Sequence, residues 1–139
     1  MNAPQFAACT ILFIEDDADD IFLFQHAFER SPIPCKIQTV SNVADAQAYL
    51  SGTGEYADRA KFPMPTLIIT DLGFRGDSGL DFLEWLRYDS GLGSIPVFCV
   101  SGTDHPAKLA QARNFGAICI RKSPEYKDLL EMIQKVLIA

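Results

Sequence analysis

The chain has 139 residues, which suits one domain with one hydrophobic core. Hydrophobic residues make up 48 % and charged residues 22 %, a balance unlike that of disordered chains. The net charge of −6, from 12 basic and 18 acidic residues, argues against a nucleic-acid partner, because such binding needs a basic surface to displace counterions. The longest apolar runs, such as Thr66–Thr70 and Ile95–Val100, are far too short to span a bilayer, so no membrane partner is expected. The first ten residues lack the basic and long apolar regions of a signal peptide.

Short apolar runs alternate with helical patterns five times. Thr10–Ile14 reads as the first strand and stops at Glu15-Asp16-Asp17. A helix is expected from near Asp19 or Asp20, whose carboxylates suit a helix N-terminus, with Ile21, Phe24 and Phe28 on one face. The prolines of Ser31–Pro34 end it. Lys36–Val40 alternates polar and apolar residues, as a strand exposed on one side does, and Ser41 or Asn42 can cap a helix running to about Leu50. Ser51–Pro65 is a polar connection longer than most loops, read as a surface insertion. Thr66–Thr70 is a continuous apolar strand that runs into Asp71, as expected at the centre of a parallel sheet.

After a glycine-rich loop, Leu80, Leu83 and Leu86 recur at helical spacing as far as Tyr88. Ile95–Val100 is the fourth strand and runs into Ser101. A weakly amphipathic helix follows from His105 to Phe115, through Leu109 and Ala112. Ala117–Arg121 is the fifth strand and runs into Lys122. Pro124 is placed to open the last helix, whose buried face is Leu129, Ile133 and Val136. The alternation predicts an α/β fold, a doubly wound parallel sheet with helices on both faces and right-handed crossovers. It accounts for the chain to its end as one domain, with a core of about residues 10–137 and no segment left for an output domain. Cys9, Cys35, Cys99 and Cys119 form no CxxC pair and lack the clustered spacing of a zinc site. They are expected to be four reduced thiols packed as small hydrophobes in a cytoplasmic protein.

In an open parallel sheet, sites form at the carboxyl ends of the strands. Strand one delivers Glu15, Asp16 and Asp17 there, strand three Asp71, strand four Ser101 and strand five Lys122. Each alone is an ordinary strand-end or helix-start residue. Together they make a chemical set. Clustered carboxylates repel, and a divalent cation relieves the repulsion. Hard oxygen donors with room for water favour Mg²⁺ or Mn²⁺ over zinc. A carboxylate beside such a metal can attack phosphorus, while the metal, a lysine ammonium and a serine hydroxyl neutralise the phosphoryl oxygens.

The motifs Ile11–Asp17, Leu67–Gly79, Val97–Gly102 and Cys119–Lys122 make the chain resemble the response-regulator receiver family of two-component signalling, over nearly its whole length. The resemblance implies a five-stranded flavodoxin-like sheet in the order 2-1-3-4-5. It makes Asp71 the phosphoacceptor in a phosphorelay and Ser101 and Lys122 the phosphoryl-binding residues. Asp16 would hold Mg²⁺ directly, Glu15 mainly through water, and Gly73 through its backbone carbonyl. The partner would be a histidine kinase. Asp19–Leu23, the long Ser51–Pro65 connection and Lys122-Ser123 are similar to single-domain receivers that partner phytochrome-type kinases. Hydrophobic residues near the fourth helix and fifth strand could support a homodimer.

The sequence also departs from the family. Gly73 replaces a residue that usually has a polar side chain, and Arg75 stands where proline is common. Cys119 occupies the place of an aromatic residue that couples to Ser101 in the family, and the segment Gly116–Lys122 is one residue short. Lys122 is followed by Ser123, with Pro124 one position late. These departures motivate an alternative, a degenerate receiver acting as a constitutive interaction or dimerisation module, which the intact Asp16, Asp71, Ser101 and Lys122 oppose. An aspartate-nucleophile hydrolase would need a second acid at position 73. A flavin binder would not put an acidic cluster after its first strand. The expectation is therefore a phosphoacceptor signalling protein and not an enzyme.

Overall fold

The computed structural model describes residues 9–71, 78–101, 106–121 and 126–138. The strands are β1 (Thr10–Ile14), β2 (Lys36–Val40), β3 (Leu67–Asp71), β4 (Val97–Ser101) and β5 (Ile118–Arg121). The helices are α1 (Ala18–Glu29), α2 (Val43–Ser51), α3 (Ser78–Glu84), α4 (Pro106–Asn114) and α5 (Lys127–Ile138). All strand pairs are parallel, in the order β2-β1-β3-β4-β5, which is the expected doubly wound α/β topology.

Side chains of a strand alternate between faces, so the sheet carries two cores. Ile11, Phe13, Leu67, Ile69, Phe98 and Val100 pack with α1 and α5. Leu12, Ile14, Ile68, Val97 and Cys99 pack with α2, α3 and α4. The helical periodicities point to these cores as expected: Phe24, Phe28, Leu83, Leu86, Ala112, Leu129 and Ile133 are all buried. β3 is buried on both faces from Leu67 to Thr70, as a central parallel strand must be.

Element ends differ from the expectation in small ways. The cap of α1 is Asp17, two residues before Asp19; its carboxylate accepts the N–H groups of Asp19 at 2.8 Å and Asp20 at 3.2 Å. Asn42 caps α2 by accepting the Asp45 N–H at 2.7 Å. β3 and β4 each extend one residue further, to include Asp71 and Ser101. After α3 the chain widens into a π-helical turn, Trp85–Asp89, closed by the Ser90 N–H donating to the Trp85 carbonyl at 2.9 Å. Pro124, expected to open the last helix, lies outside the described residues.

The long connection after α2 is built, not loose. A 3-10 turn, Gly54–Ala57, carries Tyr56 into an aromatic cluster with Tyr49 and Phe62. The Tyr49 hydroxyl donates to the Pro63 carbonyl at 2.8 Å. Arg59 reaches back to the end of α2 and donates to the carbonyls of Tyr49 at 2.7 Å, Leu50 at 2.9 Å and Phe62 at 3.2 Å. These include carbonyls that a helix C-terminus leaves without intrahelical partners. Gly52 makes the arrangement fit. Its φ of 69° suits glycine, and an added Cβ would meet the Arg59 guanidinium at 2.9 Å.

The reduced-thiol expectation fails at one pair. Cys9 and Cys35 are joined as a disulfide, with Cα atoms 4.7 Å apart. Thr10 and Lys36 are register partners at the starts of β1 and β2, so parallel pairing brings together the residues that precede them. A separation of 26 residues hid this from spacing rules. The cytoplasmic expectation loses the support it drew from reduced thiols at this pair. No helix among the described residues is long and apolar enough to cross a membrane.

Thr70 is fully buried in β3, and its hydroxyl has no hydrogen-bond partner among the described residues. A buried unsatisfied hydroxyl costs free energy that an apolar side chain of similar shape would not. Thr70→Val is expected to raise stability by about 1 kcal/mol. The readout is a higher urea midpoint at unchanged slope; a lower midpoint would refute it.

Candidate functional site

The ladder gathers the strand ends. β1 and β3 are neighbours, and Ile14 pairs with Thr70. One step further brings Glu15 alongside Asp71, with Asp16 just beyond. Asp71 pairs with Val100, the residue before Ser101, and Ser101 pairs with Arg121 at the end of β5. Glu15, Asp16, Asp71 and Ser101 therefore lie on one rim of the sheet. Neighbouring strands are about 4.8 Å apart, so these positions are close enough to act on one small ligand. Lys122 follows Arg121 in sequence but lies outside the described residues. So do Gly73, Arg75 and the Lys122–Ser123 junction.

The acidic run divides into distinct roles. Glu15 is 4 % exposed, and its carboxylate folds onto its own backbone, accepting the N–H groups of Asp16 at 3.1 Å and Asp17 at 3.2 Å. Those bonds compensate the burial of its charge. Asp17 is the α1 cap described above. Asp16 is exposed at the rim and Asp71 is half-buried. Ser101 is 7 % exposed.

Among the described residues, no three His, Cys, Asp or Glu side chains come together as a metal-holding group. The Glu15 carboxylate is engaged by the backbone that follows it. Asp16 and Asp71 remain as two hard oxygen donors on neighbouring strand ends. Such a pair fits Mg²⁺ or Mn²⁺, which keep several waters and take few protein carboxylates.

Cys119 occupies the position where an aromatic residue was expected. It is half-buried on the α4 side of the sheet, with its Sγ 3.8 Å from the Leu109 carbonyl of α4. Its register partner is Cys99. The two cysteines sit at the same offset, two residues before the paired strand ends Ser101 and Arg121, a signal that the sequence carried and strand pairing makes readable.

No family model matches the chain. It is 28 % identical over 127 residues to the response regulator Rcp1 of Synechocystis, covering 91 % of this chain and 84 % of that protein. The crystal structure of the phosphorylated cyanobacterial phytochrome response regulator RcpA superposes with a TM-score of 0.77 at 30 % identity, covering 94 % of this chain and 91 % of that one. The Mn²⁺-bound form of Rcp1 superposes with a TM-score of 0.75 at 27 % identity, over 92 % and 91 %. Strand order, the acids and hydroxyl on one rim, and near end-to-end likeness to these proteins agree: the chain belongs to the response-regulator receiver family.

Proposed function

We propose that the protein is a phosphorylation switch whose Asp71 accepts a phosphoryl group from a histidine kinase, in a reaction that needs Mg²⁺ or Mn²⁺. The observation that carries this reading is the rim itself: Asp71 flanked by the Glu15–Asp16 end of β1 and by Ser101 at the end of β4. In this reading Asp16 and Asp71 hold the metal, with the Gly73 carbonyl as a further oxygen donor and Glu15 bonding through water. The metal supplies positive charge against the phosphoryl oxygens. The Asp71 carboxylate attacks phosphorus as the P–N bond to the kinase histidine breaks and its imidazole leaves, and Ser101 and Lys122 hold the transferred group. Ser101 can donate its hydroxyl proton to a phosphoryl oxygen.

The protein is then a substrate and messenger more than an enzyme. It acts as a single receiver domain, and phosphorylation biases a two-state equilibrium in the chain around Ser101 and Lys122. RcpA is described as a phytochrome response regulator in phosphorylated form, and Rcp1 as binding Mn²⁺. The likeness to RcpA supports a phytochrome-type kinase as the partner here, and the likeness to Rcp1 supports a divalent cation. That reading puts the protein in the cytoplasm, with the kinase's catalytic domain. Ile118, 36 % exposed on the edge strand β5, supports pairing with a second copy.

The test uses the purified chain, a small acyl phosphate donor and Mg²⁺. Intact mass is expected to rise by one phosphoryl group, and chelation of the metal is expected to abolish the gain. No uptake under any metal condition would favour a constitutive interaction module instead.

A further inference from the structure

The face of the sheet covered by α2, α3 and α4 holds a pair of sulfurs that phosphoryl transfer does not use. Cys99 and Cys119 are register partners on the adjacent parallel strands β4 and β5, so their side chains leave the sheet on the same face. Parallel neighbours lie about 4.8 Å apart, within the roughly 4.4–6.8 Å Cα window that a disulfide accepts. The Cys119 Sγ lies 3.8 Å from the Leu109 carbonyl on that face. Neither takes part in the Cys9–Cys35 bridge.

The pair ends a row that crosses the sheet. Ile14, Thr70, Cys99 and Cys119 follow one another from β1 to β5. Ile14, Thr70 and Cys99 have no exposed surface, whereas Cys119 is half-buried at the edge strand. Solvent therefore reaches Cys119 but not Cys99. The neighbouring Cys99 thiol holds the Cys119 thiol down at about 7 against its burial, with help from Arg113. The Cys119 sulfur, together with burial, pushes Cys99 strongly upward. Near neutral pH about half of the Cys119 sulfur is then thiolate, the nucleophilic form, while the buried Cys99 keeps its proton.

We propose that Cys99 and Cys119 form a peroxide-reactive dithiol that closes into an intrachain disulfide. The Cys119 thiolate attacks one oxygen of the peroxide, the O–O bond breaks, and Cys119 becomes a sulfenic acid as hydroxide leaves. That hydroxide takes up the proton that Cys119 had released, giving one water. The Cys99 sulfur then attacks the Cys119 sulfur. The S–S bond forms, the S–O bond breaks, and the hydroxyl departs with the Cys99 proton as a second water. The two sulfurs give up two electrons together, and the peroxide takes both. The bridge would tie β4 to β5 directly beneath Ser101.

The experiment treats the full chain with hydrogen peroxide in the absence of reductant. Free thiols are then capped with N-ethylmaleimide, and tryptic peptides are mapped by mass spectrometry. The expected result is loss of both maleimide adducts and a joined species of residues 88–108 and 114–121, lighter by two hydrogens than the separate peptides. In Cys99→Ser, dimedone should trap a sulfenic acid at Cys119. In Cys119→Ser, Cys99 should stay reduced. Retention of both adducts, over-oxidation of Cys119 with Cys99 still free, or a bridge between two chains would each overturn the proposal. The readout needs neither metal nor phosphodonor, so its outcome is independent of the role of Asp71.

Discussion

Asp71→Asn is expected to lose phosphoryl uptake by at least roughly a hundredfold while keeping the fold. The amide matches the carboxylate in shape but lacks an anionic oxygen able to attack phosphorus, and a nucleophile that is absent cannot be replaced by positioning. It also removes one negative charge at the rim, so the metal that would neutralise the incoming group is held less well. The backbone of β3 is fixed by its ladders to β1 and β4 and by the apolar residues Leu67 to Ile69, none of which depends on the Asp71 carboxylate. The thermal midpoint should therefore stay near that of the parent chain. Intact-mass labelling with an acyl phosphate measures the effect, and mapping of the labelled peptide identifies the acceptor. Undiminished labelling of the variant would move the acceptor to another carboxylate, with Glu15 and Asp16 the nearest in sequence register.

Arg59→Ala is expected to cause the largest loss of stability of any single change in the long connection, about 2 kcal/mol. One guanidinium serves three carbonyls, two of them in the last turn of α2, and lies 5.9 Å from the centre of the Tyr49 ring. Hydrogen bonds from a charged donor contribute roughly 1.5–3 kcal/mol each when well buried. Arg59 is half-exposed, so water recovers part of what the truncation removes, and the sum is discounted accordingly. For a chain of this size that loss lowers the melting temperature on the order of 5–10 °C. Arg59→Lys should recover only part of it, because an ammonium does not present the planar fork that spans these carbonyls. Chemical denaturation decides: a change below about 0.5 kcal/mol would mean that the aromatic cluster of Tyr49, Tyr56 and Phe62 holds the segment without the arginine.

The sheet was legible because its code is local. Leu67 to Ile69 and Val97 to Val100 are short apolar runs with no helical alternative, and Phe24, Phe28, Leu129 and Ile133 recur at helical spacing. The rim was legible for the same reason, since Glu15, Asp71 and Ser101 stand at or just past strand ends and the topology does the gathering. What escaped depends on contacts that spacing does not encode. The Cys9–Cys35 bridge exists because two strand starts are neighbours in space. The inward turn of Glu15 answers two backbone N–H groups that become donors only once the chain bends after β1. The task of Arg59 becomes visible only when the end of α2 is in place. The division of the acidic run into a folded-back carboxylate, an exposed one and a helix cap likewise needed the turn itself, because three adjacent acids look alike in one dimension.

The covalent tie between Cys9 and Cys35 sits at the rim opposite Asp71. The sheet thus has a division of labour between its two rims. One is fastened by a disulfide, and among the described residues the other holds none. Sequence drift at the reactive rim is insulated from the fastening that keeps β1 beside β2, so the scaffold can tolerate experiments in chemistry at one end without coming apart at the other.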